Sequence, residues 1–120
     1  MKILIIDDDP EIVEMLEVFF KSIGHQVAAA VTASDGIKQV VMYSPDIVFL
    51  DIRLPDKDGI EALKEIKKIN KNLPVLMITG YKEAEKVIEA FRYGAIDCLL
   101  KPFNFDYIKN ILSQIKVKNR

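Results

Sequence analysis

The chain has 120 residues, about the length of one ordinary domain. Half of the residues are apolar and 29% are charged, which is typical of a globular protein with a hydrophobic core and excludes a disordered chain. The formal net charge of −1 excludes a strong overall attraction to nucleic acid or to an anionic membrane. Cys98 is the single cysteine, so an internal disulfide is also excluded.

No targeting or membrane-spanning segment is predicted. No apolar run approaches the ~18 residues of a spanning helix. The opening run, Ile3–Ile6, is too short for the apolar region of a signal peptide and is followed by acids. We therefore expect one domain over residues 1–120, no membrane partner and a cytoplasmic location.

Short apolar runs alternate along the chain with amphipathic stretches of helical period. The runs predict five strands: Ile3–Ile6, Val27–Val31, Ile47–Leu50, Val75–Ile78 and Cys98–Leu100. Five helices are predicted between and after them. Their apolar faces or spans are Ile12, Leu16, Phe19, Phe20 and Ile23; residues 34–43; residues 59–70; Ala84, Val87, Ile88 and Phe91; and Ile108, Ile111, Leu112 and Ile115. The alternation predicts an α/β protein of the doubly wound, flavodoxin-like (βα)5 fold. Its five-stranded parallel sheet would have the order 2-1-3-4-5, with helices on both faces.

Polar and glycine residues mark the boundaries of the predicted helices. Side chains that accept hydrogen bonds from free amides precede three helices, and glycines follow two. The predicted N-caps are Asp9, just ahead of Pro10, with Asp58 and Asn104, and the predicted helix ends lie at Gly24 and Gly94.

Polar side chains follow the strands at their carboxyl ends, where ligands bind in sheets of this kind. Asp7 and Asp8 come after the first strand, and Asp51 ends the third. Thr79 ends the fourth strand and Lys101 follows the fifth. Because strands one and three are neighbours in the predicted order, we expect the three acids to crowd together. Two carboxylates about 5 Å apart repel by roughly 3 kcal/mol at an effective dielectric constant near 20.

A divalent cation would relieve this repulsion. An all-oxygen site with open positions suits magnesium, or manganese in its place, and magnesium commonly bridges to phosphate oxygens. A carboxylate can also attack phosphorus as a nucleophile if the charge of the phosphoryl group is neutralised. Magnesium, the Lys101 ammonium and the Thr79 hydroxyl would supply that neutralisation. Asp9 is interpreted as a helix cap and not as a metal ligand.

Four segments together resemble the receiver domains of bacterial response regulators in two-component signalling. They are ILIIDDDPEI (3–12), PDIVFLDIRLPDKDGIEAL (45–63), Thr79-Gly80 and Lys101-Pro102. Each is weak alone, but the four in this order at strand ends are a specific combination, and the likeness covers essentially the whole chain.

The resemblance implies roles for the acidic residues. Asp51 would be the phosphoacceptor. Asp8 would bind magnesium directly, together with Asp51 and the backbone carbonyl of Arg53, and Asp7 would act through a bound water.

It also implies roles for the later segments. Thr79 would donate a hydrogen bond to the phosphoryl group, and Lys101 would pair with the carboxylate or with the phosphoryl group. The Lys101-Pro102 bond would be cis. The family's switch position falls on Cys98, where most relatives carry an aromatic residue or histidine. Because cysteine is small, we expect backbone shifts around the fourth helix and fifth strand to carry more of the signal.

The implied function is a phosphoacceptor switch. A sensor histidine kinase or histidine phosphotransfer protein would supply the phosphoryl group, and a downstream effector protein or a fused output domain would receive the signal. The first helix and the loops over the site would meet the kinase, and the fourth helix, fifth strand and fifth helix would signal onward. Such a switch catalyses its own phosphorylation and slow autodephosphorylation but does not turn over external substrates, so it is not an enzyme in that sense.

Two residues near the site are expected to set the lifetime of the acyl phosphate. Arg53 lies two residues after the phosphoacceptor, and Tyr81 lies two after the threonine. In the family, side chains at these positions flank the path of the attacking water. Our hypothesis is that this large pair slows hydrolysis.

Two alternatives remain open at the level of sequence. An aspartyl phosphatase of the haloacid dehalogenase kind also begins with a strand followed by acids one residue apart, as Asp7 and Asp9 are. Such an enzyme needs another acid after its fourth strand, where this sequence has Thr79-Gly80-Tyr81-Lys82, so turnover of external phosphoesters is disfavoured. Alternatively, the chain is the N-terminal receiver part of a larger transcriptional regulator. Its basic residues form no stripe for direct nucleic-acid binding, and the tail 116–120 would then begin a linker.

Overall fold

Five parallel strands alternate with five helices in the computed structural model, which describes residues 1–80 and 83–115. The strands are β1 (Lys2–Ile6), β2 (Gln26–Ala30), β3 (Ile47–Asp51), β4 (Val75–Thr79) and β5 (Asp97–Leu100). The helices are α1 (Pro10–Ser22), α2 (Ala33–Tyr43), α3 (Gly59–Ile69), α4 (Ala84–Arg92) and α5 (Phe105–Ser113). The sheet has the order β2-β1-β3-β4-β5. The predicted fold class and strand order are therefore confirmed.

The strand boundaries differ from the predicted ones by one residue at most. Asp51 and Thr79 belong to their strands instead of following them. The second strand ends at Ala30, one residue earlier than predicted, and the side chain of Val31 is 57% exposed. Val31 lies beyond the last residue of β2 that pairs with β1, so its side chain does not pack in the core. The prediction placed the strand end too late because it relied on the hydrophobicity of Val31.

The sheet separates two layers of hydrophobic core, because successive side chains of a strand point to opposite faces. One layer contains Leu4, Val48, Leu50 and Met77 with the buried faces of α2, α3 and α4. The other contains Ile3, Ile5, Phe49 and Ile78 with α1 and α5. All of these strand side chains are fully buried, as expected of parallel strands covered on both faces.

The predicted caps are present. Asp9 accepts from the amide of Glu11, and Pro10 is the first residue of α1. The side chains of Asp58 and Asn104 cap α3 and α5. The predicted helix ends at Gly24 and Gly94 are also confirmed, by φ values of 90° and 102°.

The fourth helix buries a different face from the predicted one. Ile88 and Phe91 are 64% and 48% exposed, whereas the small side chain of Ala90 is fully buried and Val87 is partly buried. A period of 3.6 residues fits both faces in a helix of nine residues, and the sheet accepts the one with the small residue. The exposed apolar side chains lie outside the core, so the predicted face is wrong at these positions.

The start of α2 is held by two acceptors that the sequence did not reveal. Thr32 caps the helix by accepting from the amide of Asp35. Asp56, from the loop after β3, accepts from the amides of Ala33 and Ser34 at 2.8 and 2.9 Å. The loop that follows the predicted phosphoacceptor is therefore bonded to a neighbouring helix.

Replacing Asp56 with alanine is expected to lower the melting temperature by a few degrees at pH 7, because two helix amides lose their acceptor. The two amides hold the pKa of Asp56 below its ordinary value. A lowered pKa contributes stability above the unfolded-state pKa that is lost as the pH falls through the folded-state pKa. Thermal denaturation of Asp56→Ala should therefore approach that of the wild type in acid. Asp35→Ala, which removes an acid from the same helix turn, is the matched control, and an equal loss there would contradict the capping role.

Candidate functional site

The strand register brings Asp7 and Asp51 to the same level of the sheet. Ile6 of β1 is paired with Leu50 of β3, so the residues that follow them are neighbours. Carboxylate oxygens of Asp7, Asp8 and Asp51 all lie within 4.8 Å of one another. The three acids therefore converge, as the sequence predicts.

Thr79 and Lys101 complete the same pocket. Thr79 is paired with the residue before Lys101 in the β4–β5 ladder, and the Lys101 amide donates to the Thr79 carbonyl at 3.0 Å. Both residues line a pocket with Asp8 and Asp51. The Thr79 hydroxyl donates to the carbonyl of Gly80 at 3.0 Å, so its proton is directed at its own loop.

Asp7 lies beneath the pocket and has lost its solvent contact. Its side chain is fully buried, and Oδ1 accepts from the amide of Asp9 at 2.9 Å. No donor reaches Oδ2 from residues 1–80 or 83–115. Burial raises the pKa of Asp7, and this effect exceeds the lowering by the Asp9 amide and by the charge of Lys101. A buried carboxylate oxygen without a donor is costly, which indicates a missing positive partner.

The surroundings of Asp51 raise its pKa far above the ordinary value of an aspartate. Its side chain is 8% exposed, and burial, followed by the charge of Asp7, raises its pKa to about 7. The Arg53 amide, which donates to Oδ1 at 3.2 Å, and the charge of Lys101 act in the opposite direction. A perturbed carboxyl group in a pocket is a candidate functional group.

The donor atoms at the site fit a divalent cation. Carboxylate oxygens are the ligands that magnesium prefers, and three of them lie within reach of one ion. The orphaned Oδ2 of Asp7 would gain a partner, either directly or through water. The acidic cluster thus has the chemistry that a magnesium site requires.

Arg53 and Glu83 form an ion pair at the rim of this pocket, with Nε and Oε1 2.5 Å apart. Both residues line the pocket. Glu83 was missed by the sequence analysis, since an ion pair between separate loops leaves no local signal. Tyr81, the predicted partner of Arg53 in shielding the acyl phosphate, lies outside the described residues. That hypothesis and metal binding by the Arg53 carbonyl stay predictions.

The residues of β5 are placed as expected. The Lys101-Pro102 peptide bond is cis. Cys98 is half-buried and packs against the layer of α2, α3 and α4. Burial raises the pKa of its thiol to about 11, so the side chain stays neutral and shows no sign of reactivity. Its place in the switch stays a prediction.

Comparison with known proteins decides the family. The family model of the response regulator receiver domain matches residues 3–113. The chain belongs to this family. Receiver domains are signalling switches of two-component systems, and the match gives no support to a haloacid dehalogenase.

Curated relatives of this receiver domain differ greatly in length. The chain is 36% identical over 118 residues to the transcriptional regulatory protein ZraR of Salmonella typhimurium, which covers 98% of the chain but 27% of the relative. It is 35% identical over 113 residues to sporulation initiation phosphotransferase F of Bacillus subtilis, covering 94% of the chain and 91% of the relative. The chain thus spans about a quarter of one relative and nearly all of the other.

Solved structures share the receiver fold in detail. The receiver domain of NtrX from Brucella abortus has a TM-score of 0.89 and 34% identity, and the match covers 94% of this chain and 96% of that one. Within the described residues, no helix is long and apolar enough to cross a membrane.

Proposed function

We propose that residues 1–120 act as one receiver domain that accepts a phosphoryl group on Asp51 in a magnesium-dependent reaction. The observation that carries this proposal is the convergence of three carboxylates beside Lys101, with one buried oxygen of Asp7 that receives no donor from the part of the chain that the structure describes. The relative named sporulation initiation phosphotransferase F, which has nearly the same length, supports phosphoryl transfer as the chemistry.

Magnesium would be held by Asp8, by Asp51 and by the Arg53 carbonyl, with Asp7 acting through water. When bound, the ion neutralises charge on the transferred phosphoryl group and on the acids around it. Asp8 is exposed and Asp7 is buried, so the site is open on one side for the phosphodonor.

Asp51 would act as the nucleophile toward a phosphohistidine. Its Oδ atom forms a bond to phosphorus while the N–P bond breaks and the electron pair returns to the imidazole. Lys101 faces the same pocket and would pair with a phosphoryl oxygen. The Thr79 hydroxyl would exchange its present acceptor, the Gly80 carbonyl, for that oxygen. Water would later attack the phosphorus atom, so that the Asp51 Oδ–P bond breaks, inorganic phosphate leaves and the carboxylate is regenerated.

A sensor histidine kinase or a histidine phosphotransfer protein is the proposed phosphodonor, and α1 with the loops over the pocket is its proposed docking face. The signal would leave through the face of α4, β5 and α5. Several large apolar side chains are exposed there: Ile88, Phe91, Tyr93, Ile96, Leu100 and Tyr107. They would bind an effector protein or an output domain of the same chain.

This chemistry is consistent with two kinds of protein. The chain could act as a stand-alone relay protein or as the N-terminal part of a larger transcriptional regulator. The near-full coverage of the phosphotransferase favours the first, and the quarter coverage of ZraR favours the second. Phosphorylation of Asp51 is common to both.

The test is incubation of the protein with acetyl phosphate, followed by intact mass measurement. We expect a gain of one phosphoryl group with magnesium and none with a chelator. Manganese should replace magnesium, because both accept oxygen ligands. Neutral hydroxylamine should remove the group, since it cleaves an acyl phosphate but not a phosphate ester. A gain that is independent of metal or resistant to hydroxylamine would refute the proposal.

A further inference from the structure

The ion pair between Arg53 and Glu83 joins the segments that follow β3 and β4, the strands that end in Asp51 and Thr79. The Glu83 side chain is only 12% exposed, whereas that of Arg53 is 77% exposed. Glu83 is therefore a nearly buried acid at the rim of a pocket that already holds Asp51 and Asp8. Among the described residues its ion-pair partner is the guanidinium of Arg53, and its charge also acts on the nearby ammonium of Lys86.

Backbone hydrogen bonds fix both partners of this pair to the site. The amide of Glu83 donates to the Gly80 carbonyl at 3.1 Å, and the same oxygen receives the Thr79 hydroxyl at 3.0 Å. The amide of Arg53 donates to Oδ1 of Asp51 at 3.2 Å. A structural change at Asp51 therefore acts directly on the backbone of Arg53, and one at Thr79 acts on Glu83 through the Gly80 carbonyl.

A second ion pair holds the same two parts of the protein together. Lys86 of α4 contacts Asp58, the N-cap of α3. Asp58 is also paired with Arg53 through an isolated antiparallel bridge. Arg53 thus contacts Glu83, the residue before α4, and Asp58 contacts Lys86 in the first turn of α4. The loop from Arg53 to Asp58 is therefore held against the start of α4 at both of its ends.

We propose that Glu83 is a positioning residue that occupies the Arg53 guanidinium while Asp51 carries no phosphoryl group. This inference rests on the proposed function. A phosphoryl group offers the guanidinium a stronger, bidentate acceptor than a single carboxylate oxygen. The incoming phosphoryl group therefore competes with Glu83 for the Arg53 guanidinium. When the phosphoryl group binds Arg53, Glu83 at the start of α4 loses its ion pair. Glu83 thereby limits binding of the phosphodonor and links phosphoryl occupancy to α4.

The rate of phosphorylation by acetyl phosphate measures this competition. In that reaction the donor's O–P bond breaks, the Asp51 Oδ–P bond forms, and acetate leaves with the electron pair. Glu83→Gln should free Arg53 and raise kcat/KM by roughly 10-fold, mainly through a lower KM, because Arg53 also binds the donor in the ground state. Circular dichroism of each variant confirms that it is folded.

The Arg53→Ala background separates the ion pair from a general effect of charge. This substitution keeps the backbone carbonyl proposed as a metal ligand. With Arg53 absent, Glu83→Gln should raise kcat/KM by no more than about 2-fold, because contacting residues are non-additive whereas a distant charge acts equally in both backgrounds. Glu83→Asp keeps the charge but shortens the reach, so it should also accelerate the wild-type background. Glu85→Gln, an exposed acid in the same turn, is the matched control and should change the rate little.

Three results would overturn the inference. Equal effects of Glu83→Gln in the two backgrounds would show a simple charge effect. No acceleration by Glu83→Gln or Glu83→Asp would show that Arg53 is not held back. Wild-type protein that gains no phosphoryl group would overturn both this inference and the proposed function, whereas normal phosphorylation with additive variants would overturn this inference alone.

Discussion

Asp51→Asn is expected to abolish the magnesium-dependent gain of a phosphoryl group and, without metal, to stabilise the protein at pH 7.5. The amide cannot act as the nucleophile, so the loss of phosphorylation should be complete. It also removes one of three crowded carboxylates. We expect the free energy of unfolding of the metal-free variant to exceed that of the wild type by roughly 1 to 3 kcal/mol.

The sign follows from the raised pKa of Asp51. At pH values between 3.8, the ordinary pKa of an aspartate, and about 7, the pKa of Asp51 in the folded protein, the folded state holds a proton that the unfolded state has released. Stability therefore falls as the pH rises between these two values. Denaturant unfolding with a chelator should show this loss in the wild type, and the loss should be smaller in the variant.

Magnesium should reverse the order. Binding to the folded state alone raises the free energy of unfolding of the wild type, and Asp51→Asn, lacking one ligand, should gain much less. Asp106→Asn, an exposed acid in the first turn of α5, controls for the change in net charge. A variant that still acquires a hydroxylamine-sensitive phosphoryl group, or that is less stable than the wild type in chelator at pH 7.5, would exclude Asp51 from the proposed role.

Gly59→Ala is expected to lower the free energy of unfolding by about 3 kcal/mol. A Cβ atom at Gly59 would lie 2.3 Å from the carbonyl oxygen of Asp51 and 2.7 Å from both the Cα and the carbonyl oxygen of Ile52. These are backbone atoms of the last residue of β3 and of the residue after it, so they cannot move aside by rotating a side chain. The higher helix propensity of alanine offsets only about 1 kcal/mol of this loss.

Gly36→Ala is the matched control for that substitution. Its Cβ would lie 2.5 to 2.9 Å from side-chain carbons of Ile6, which can shift. We therefore expect a smaller loss at Gly36 when both variants are compared by urea denaturation. A Gly59→Ala protein as stable as the wild type would mean that α3 can move away from the end of β3.

The fold and the composition of the pocket were predictable because both depend on regular patterns. Apolar runs at regular spacing determine the strands, and parallel strands place their carboxyl ends at one edge. Asp51, Thr79 and Lys101 occupy the ends of three different strands, so the strand order alone predicts that they meet. The cis bond at Pro102 followed from the family resemblance and not from the pattern.

Features that depend on contacts between distant segments were not predictable. The ion pair of Glu83 and the capping of α2 by Asp56 each join loops far apart in the chain, and local sequence carries no trace of such a partner. The prediction of the buried face of α4 was wrong because a helix of nine residues has two possible apolar faces, one with Ile88 and Phe91 and one with Ala90. Only the space available above the sheet selects between them.

The carboxyl edge of the sheet is the place where residues from both faces of the two-layered core line one pocket. By strand alternation, Asp51 continues the row of Phe49 and so belongs to the side of α1 and α5, whereas Thr79 continues the row of Met77 on the side of α2, α3 and α4. Elsewhere in the protein the backbone of the sheet separates the two core layers, so that side chains on one face do not pack on those of the other. A phosphoryl group bonded to Asp51 and hydrogen-bonded to Thr79 would connect the two faces at this edge of the sheet. Phosphorylation of one residue would then affect helices on both sides of the protein.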